Sequence, residues 1–214
     1  TNADPRIAAQ EHPDRLCIKM ICEYAQMLST AHRLHDGVLS TFIRPDNKVQ
    51  KLYLFLEELV SLDTRLSKSG NSITKYYIEK PLCYNATHEH HPCTVWARET
   101  SENYLWLYSL FLEVSKEYTH RYGKIHKSQF TLQEFLSNPP KNIKQGPLTQ
   151  FVQTMPDEYK DENPCKAYQN FYVGSKSRFA KWTNRTPPEW FKLNYGNYDA
   201  ANFEKTSSVG HRSS

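Results

Sequence analysis

The sequence predicts a mainly α fold: a single helical domain with long irregular connections and at most a small β element. Three observations point there. Apolar residues recur at helical spacing over several long stretches. Glycine is scarce, at 7 of 214 residues, which disfavours a sheet-dominated fold with many tight turns. Proline pairs, Pro139-Pro140 and Pro187-Pro188, punctuate the chain between the periodic stretches.

The first helix is read over 14–35, DRLCIKMICEYAQMLSTAHRLH, where Cys17, Ile21, Ala25 and Leu28 form an apolar stripe. Asp14 after Pro13 is placed as its N-cap and Gly37 as its stop. KLYLFLEELVSLDTRL, 51–66, reads as a second helix, SKSGNS as a loop, and ITKYYIEK as a short strand or extended connector. A third helix is expected from Val95 to Tyr122, stopped by Gly123, with Trp96, Leu107, Leu110, Val114 and Tyr118 on one side. A short helix at 128–138 and a final one at 164–182 complete the set. Residues 1–191 then form the domain, with 38–80 as a variable insertion and 192–214 as a flexible tail.

Lys and Arg number 27 against 23 Asp and Glu, a formal +4 that permits a polyanionic partner without demanding one. No glycine-rich phosphate loop is present, so no nucleotide cofactor is expected. Five cysteines without a regular framework, no charged-then-apolar leader and no long apolar run predict reduced thiols, a cytoplasmic protein and no membrane partner. No obligate protein partner is evident.

His88, His90, His91 and Cys93 invite a metal reading. Zinc nucleobase deaminases pair H-x-E with P-C-x-x-C, whereas here His88-Glu89-His90 has the wrong order and Pro92-Cys93 has no second cysteine after it. We therefore expect no metal and keep only His91, next to the helix start, as a functional candidate. On the first helix, Lys19, Glu23, Gln26, Thr30 and Arg33 make a continuous polar stripe, read either as solvent face or as functional surface. His32 extends the apolar stripe instead, and a buried imidazole needs a partner. Asn103 and Arg121 end the apolar side of the third helix and mark a polar network, a ligand site, or both. HRYGKIHK, 120–127, places cations at a helix C-terminus, favourable for the dipole and suited to phosphates. The final helix interleaves Tyr168, Tyr172, Lys176, Arg178, Lys181 and Trp182, a pattern of core packing or of base stacking with phosphate neutralisation.

AQMLSTAHRLHDG, HPCTVWARETSENYLWLY, EYTHRYGKIHKS, MPDEY, AYQNFYVGSK and AKWTNRTPPEWF together resemble a family of small phage and bacterial proteins linked to DNA base excision. The resemblance spans about residues 3–191 in the same order. It matches the family's polar positions at Asp14, Lys19, His32, His91, Asn103, Arg121, Lys124 and His126. The family often has Cys-Asp-Lys-His where this chain has Pro13-Asp14-Arg15-Leu16, which further weakens a metal mechanism. Its members begin with a short apolar strand ahead of the segment matching Asn2 to Pro5. Thr1 and Glu23 also parallel phage pyrimidine-dimer glycosylases, which use an N-terminal threonine amine beside a helical glutamate.

The resemblance, with the clustered cations and aromatics, implies a DNA glycosylase acting on a damaged or modified base. Asp14 or Glu23 would activate water or stabilise an oxocarbenium ion, and His32 and His91 would assist the leaving base. Lys19, Arg121, Lys124, His126 and Lys176 would hold phosphates, and Trp96, Asn103 and Tyr168 would line the base pocket. The alternatives are a base-modifying transferase or nucleotide-processing enzyme, and a non-catalytic nucleic-acid-binding protein.

Overall fold

The computed structural model describes residues 1–43, 49–66, 72–78 and 81–194. In chain order the elements are α1 (Pro5–Glu11), α2 (Asp14–Asp36), β1 (Val38–Ile43), β2 (Val49–Leu54), β3 (Leu59–Leu66), β4 (Ser72–Ile78), α3 (Pro92–Ala97), α4 (Ser101–Tyr122), α5 (Lys127–Leu132) and α6 (Pro164–Phe171). The fold is mainly helical, as expected, and among the described residues the β structure is two antiparallel strand pairs, β1 with β2 and β3 with β4. Contacts group the chain into two compact units: Thr1–Ile21 with Ser109–His126 and the segment from Gln150 onward, and Cys22–Tyr108 with Lys127–Thr149.

In the first unit, α1 is an element that periodicity did not reveal, because seven residues are too few to display a stripe. Its start is chemically marked. Pro5 occupies the first turn, and the Asp4 carboxylate accepts from the backbone N–H groups of Arg6 at 2.8 Å and Ile7 at 3.2 Å. The opening of α2 follows, with Cys17 and Ile21 fully buried as their spacing predicted. Asp14 is the first residue of α2 rather than its cap. Its N–H donates to the Lys181 carbonyl at 2.7 Å, and its carboxylate is engaged by Thr183 and Arg121. From α4 this unit receives Leu110, Phe111 and Val114, all buried, and Gly123 ends the helix at φ 65°, a conformation that suits glycine.

The helix expected over 164–182 leaves α geometry at Phe171. It continues as a π turn, Tyr172–Lys176, and a 3₁₀ turn, Ser177–Phe179. Gly174 lies against the Tyr159 ring, where a Cβ would collide, so the chain passes closer to its neighbour here than any other residue type allows. Val173, Trp182 and Phe191 form a cluster beneath Ala180 and Trp190. Residues 189–194 are helical, so the tail expected from 192 begins no earlier than 195, and 195–214 lie outside the described residues.

The second unit holds the rest of α2, where Ala25, Leu28 and Ala31 are fully buried. The helix expected over 51–66 is instead β2, a 3₁₀ turn at Leu56–Glu58, and β3. Val38 pairs with Leu54 and Leu59 with Ile78, so partners remote in sequence impose a period of two on a stretch whose leucines also fit a helix. The segment 72–78 is strand β4; most of SKSGNS, 67–71, lies outside the described residues. The expected third helix is two, α3 and α4, because the Thr100 hydroxyl caps α4 by accepting from Asn103 N–H at 3.2 Å and donating to the Pro147 carbonyl at 3.0 Å.

Arg33, on the supposed solvent stripe, is fully buried. It forms a two-pronged pair with the equally buried Glu58, with Nη2 donating to Oε1 at 2.6 Å and Nη1 donating to Oε2. Its remaining donors reach the carbonyls of Tyr53, Cys83 and Tyr84 at 3.1, 2.8 and 3.1 Å, and its Cζ lies 4.6 Å from the Phe55 ring centroid. Glu58 in turn accepts from the N–H groups of Phe55 and Leu82 at 3.1 and 2.7 Å. Glu58→Ala is expected to destabilise the protein by about 3–5 kcal/mol, since Arg33 is left as an uncompensated buried charge; urea unfolding measures this. Arg33→Met with Glu58→Leu should recover most of the loss.

Candidate active site

Two kinds of carboxylate occur in the first unit. Arg121, 4% exposed, donates from Nε to Glu117 at 2.7 Å and from Nη1 to Asp14 at 3.0 Å and to the His12 carbonyl at 2.8 Å. Its Nη2 donates to the Gln10 carbonyl at 3.0 Å. Arg185 grips both oxygens of Glu117, and Thr183 gives its N–H to one Asp14 oxygen at 2.9 Å and its hydroxyl to the other at 2.7 Å. Two negative and two positive groups thus close one network. Burial alone would raise both carboxyl pKa values. The hydrogen bonds of Thr183 and Arg121 to Asp14, and of Arg185 and Arg121 to Glu117, outweigh it and hold both below the ordinary range. The network ties Gln10, His12 and α2 to the end of α4 and to residues 183–185, which gives Arg121 a structural task.

Glu11 is different. It is 9% exposed; Oε1 accepts from the Trp190 indole N–H at 2.8 Å, while Oε2 is buried with no hydrogen-bond partner. Its backbone carbonyl accepts from the Trp182 indole at 3.2 Å. Beside it, the His12 and Tyr172 rings meet edge to face at 6.3 Å, and Tyr172 meets Trp190 at 6.2 Å. Burial, followed by the Thr1 amino-terminal charge and then that of Arg121, lowers the His12 pKa to about 3, so that imidazole is neutral at physiological pH. Burial pushes the Tyr172 phenol upward. Glu11, not Glu23, is the carboxylate whose charge acts on Thr1, and the Thr1 hydroxyl is also buried without a partner. A half-buried Trp190 connects this carboxylate to the surface. A buried carboxylate oxygen without a donor costs about 1–3 kcal/mol or more, the kind of local cost that folds retain where chemistry uses it.

The other expected residues fall as follows. In the first unit Lys19 and Lys124 are exposed, and His126 packs its ring at 5.4 Å edge-on to Tyr118, with its pKa lowered by burial. Tyr168 donates its hydroxyl to the Val152 carbonyl at 3.0 Å, and Lys176 lies 4.6 Å from the Phe171 ring centroid. In the second unit Glu23 is half-buried on α2. The Tyr104 hydroxyl donates to the Leu136 carbonyl at 2.9 Å and lies 2.9 Å from His32 Nε2. Burial lowers the His32 pKa to about 4. His91 is exposed and caps α3, its Nδ1 accepting from Cys93 N–H at 3.3 Å. Asn103, fully buried, gives its amide to the Trp96 carbonyl and to Thr149, and Trp96 packs edge-on to Trp106 at 5.8 Å. Asn103 therefore closes a polar network. Among the described residues, no three His, Cys, Asp or Glu side chains are grouped to hold a metal ion, and no helix is long and apolar enough to cross a membrane.

Sequence reasoning missed Glu11 and His12. The Asp4-Pro5 cap signal could have exposed α1 and hence the seven-residue helix that carries Glu11 at its end. With the geometry in hand, comparison with family models, curated proteins and solved structures finds no match for the chain.

His32 adds a pH signature in the second unit. Its folded pKa of about 4 lies below the ordinary 6.5, so the unfolded chain takes up a proton first as the pH falls. Stability contributed by the neutral ring is complete above about pH 6.5 and is lost towards pH 4, at on the order of 1 kcal/mol per pH unit. His32→Gln should reduce the slope of unfolding free energy against pH in that window, with the part due to His12 remaining. The depressed Asp14 and Glu117 values act lower, their stabilisation being full above about pH 4.5 and lost below it.

Proposed function

We propose that the protein is a nucleic-acid-acting hydrolase of the DNA glycosylase type, releasing a damaged or modified base, with Glu11 as its working carboxylate. The observation that carries this reading is Glu11 Oε2: a buried carboxylate oxygen with no donor, in a setting of Tyr172, Trp182 and Trp190. Cleavage of an N-glycosidic bond places positive charge on the sugar, which an unengaged carboxylate stabilises directly or through an activated water. Asp14 and Glu117 suit that task less, because their lone pairs already serve Arg121, Arg185 and Thr183. Aromatic side chains supply faces on which an extruded base stacks. The substrate class comes from the resemblance to the base-excision-linked family, and the choice of carboxylate comes from the geometry.

DNAs carrying different modified bases, incubated with the protein, should acquire alkali-labile abasic sites, with free base detected by mass spectrometry. Glu11→Gln keeps an oxygen for the Trp190 indole and should lower base release about 10²–10⁴-fold with little change in melting temperature. Nucleosides that gain mass without base loss would instead identify a transferase, and an active Glu11→Gln variant would remove Glu11 from the reaction.

A further inference from the structure

The basic residues around the start of α2 form a strip outside the Glu11 setting. Arg15 and Lys19, one helical turn apart, share a face of α2 and are exposed. The segment carrying Arg178 and Lys181 runs alongside: the Arg15 Cζ lies 5.2 Å from the Phe179 ring centroid, and the Lys181 carbonyl accepts from Asp14 N–H at 2.7 Å. Arg178 and Lys181 are exposed as well. The segment 174–185 contains no acidic residue, and the acids on this part of α2 are Asp14, engaged by Arg121, and Glu23, one turn beyond Lys19. Four cations therefore face solvent from two adjacent segments of one unit, in a chain whose overall excess is only +4.

We propose that Arg15, Lys19, Arg178 and Lys181 form a phosphate-binding strip for the sugar–phosphate backbone of a nucleic acid. The proposal rests on the substrate class of the proposed function and names the surface that holds that substrate. An anionic lipid surface fits less well. Helices that lie on membranes turn a row of large apolar side chains outward, whereas on this part of α2 Cys17 and Ile21 are buried, Ile18 is the exposed aliphatic residue between the two cations, and Phe179 is half-buried under Arg15. Charge without an apolar face is the requirement for backbone phosphates, where each neutralised phosphate releases condensed counterions.

Fluorescence anisotropy with a labelled duplex DNA, read across a salt series, tests the strip without reference to turnover. Four phosphate contacts predict a slope of log Kobs against log salt of about −3 to −4, and so an affinity loss of roughly 100-fold between 50 and 200 mM salt. Lys19→Ala and Lys181→Ala should each lower the slope by about one, and the K19E/R178E variant should abolish binding at 200 mM salt with the melting temperature retained. Glu11→Gln should bind with the wild-type slope, and wild-type protein that binds with this slope but releases no base from any substrate would count against the proposed activity and not against the strip. Unchanged slopes in Lys19→Ala and Lys181→Ala would overturn the strip even where base release occurs. Tighter binding to phosphatidylserine vesicles than to the duplex would overturn the choice of partner.

Discussion

A buried guanidinium is the constraint on which much of this structure turns. Removing such a charge from water costs several kcal/mol, and the cost is offset only when opposite charge and acceptors surround it. Arg33 and Arg121 each meet that condition inside one unit. Arg33 draws Glu58 and the carbonyls of Tyr53, Cys83 and Tyr84 together, so β2, the turn after it and the 81–84 segment take their places around one side chain of α2. Arg121 does the same for Gln10, His12, Asp14 and Glu117. Charge neutralisation organises segments that have little regular secondary structure of their own.

Against those satisfied groups, Glu11 stands out by what it lacks. Glu58 accepts from Arg33 and from the N–H groups of Phe55 and Leu82; Asp14 accepts from Arg121 and twice from Thr183. Glu11 receives the Trp190 indole on one oxygen and nothing on the other. A carboxylate whose lone pairs are occupied is held in its charged form and serves as scaffold. One with an unoccupied buried oxygen is available to stabilise a cation or a water, and this distinction separates the two classes although all are acidic residues at low exposure.

Much of the helical framework was legible. The stripe Cys17, Ile21, Ala25, Leu28 is buried throughout, and the glycines at 37 and 123 follow the ends of α2 and α4, because these signals lie within a few residues of one another. The stretch 51–66 was not, since its leucines fit a helix as well as a strand, and pairing with β1 and β4 decided between them. The break between α3 and α4 depended on Thr100 reaching the Pro147 carbonyl, a partner 47 positions away. Of the residues expected at the site, His32, Asn103 and Arg121 were correctly marked as buried polar groups, because His32 extends an apolar stripe and Asn103 and Arg121 stand at the ends of one, but the stripe says nothing of their partners.

The sequence by itself determined the helical class, the buried faces of α2 and α4, the glycine stops at 37 and 123, and the local charge pattern that includes Lys19, Arg178 and Lys181. All of these follow from periodicity, capping chemistry and composition, which act over a turn or two of chain. Tertiary structure alone decided which carboxylates are satisfied. Asp14 meets Thr183 and Arg121 across 169 and 107 positions, and Glu11 meets Trp190 across 179. Hydrogen bonds are satisfied in space rather than along the chain, so the difference between a scaffolding acid and a reactive one is absent from any local pattern.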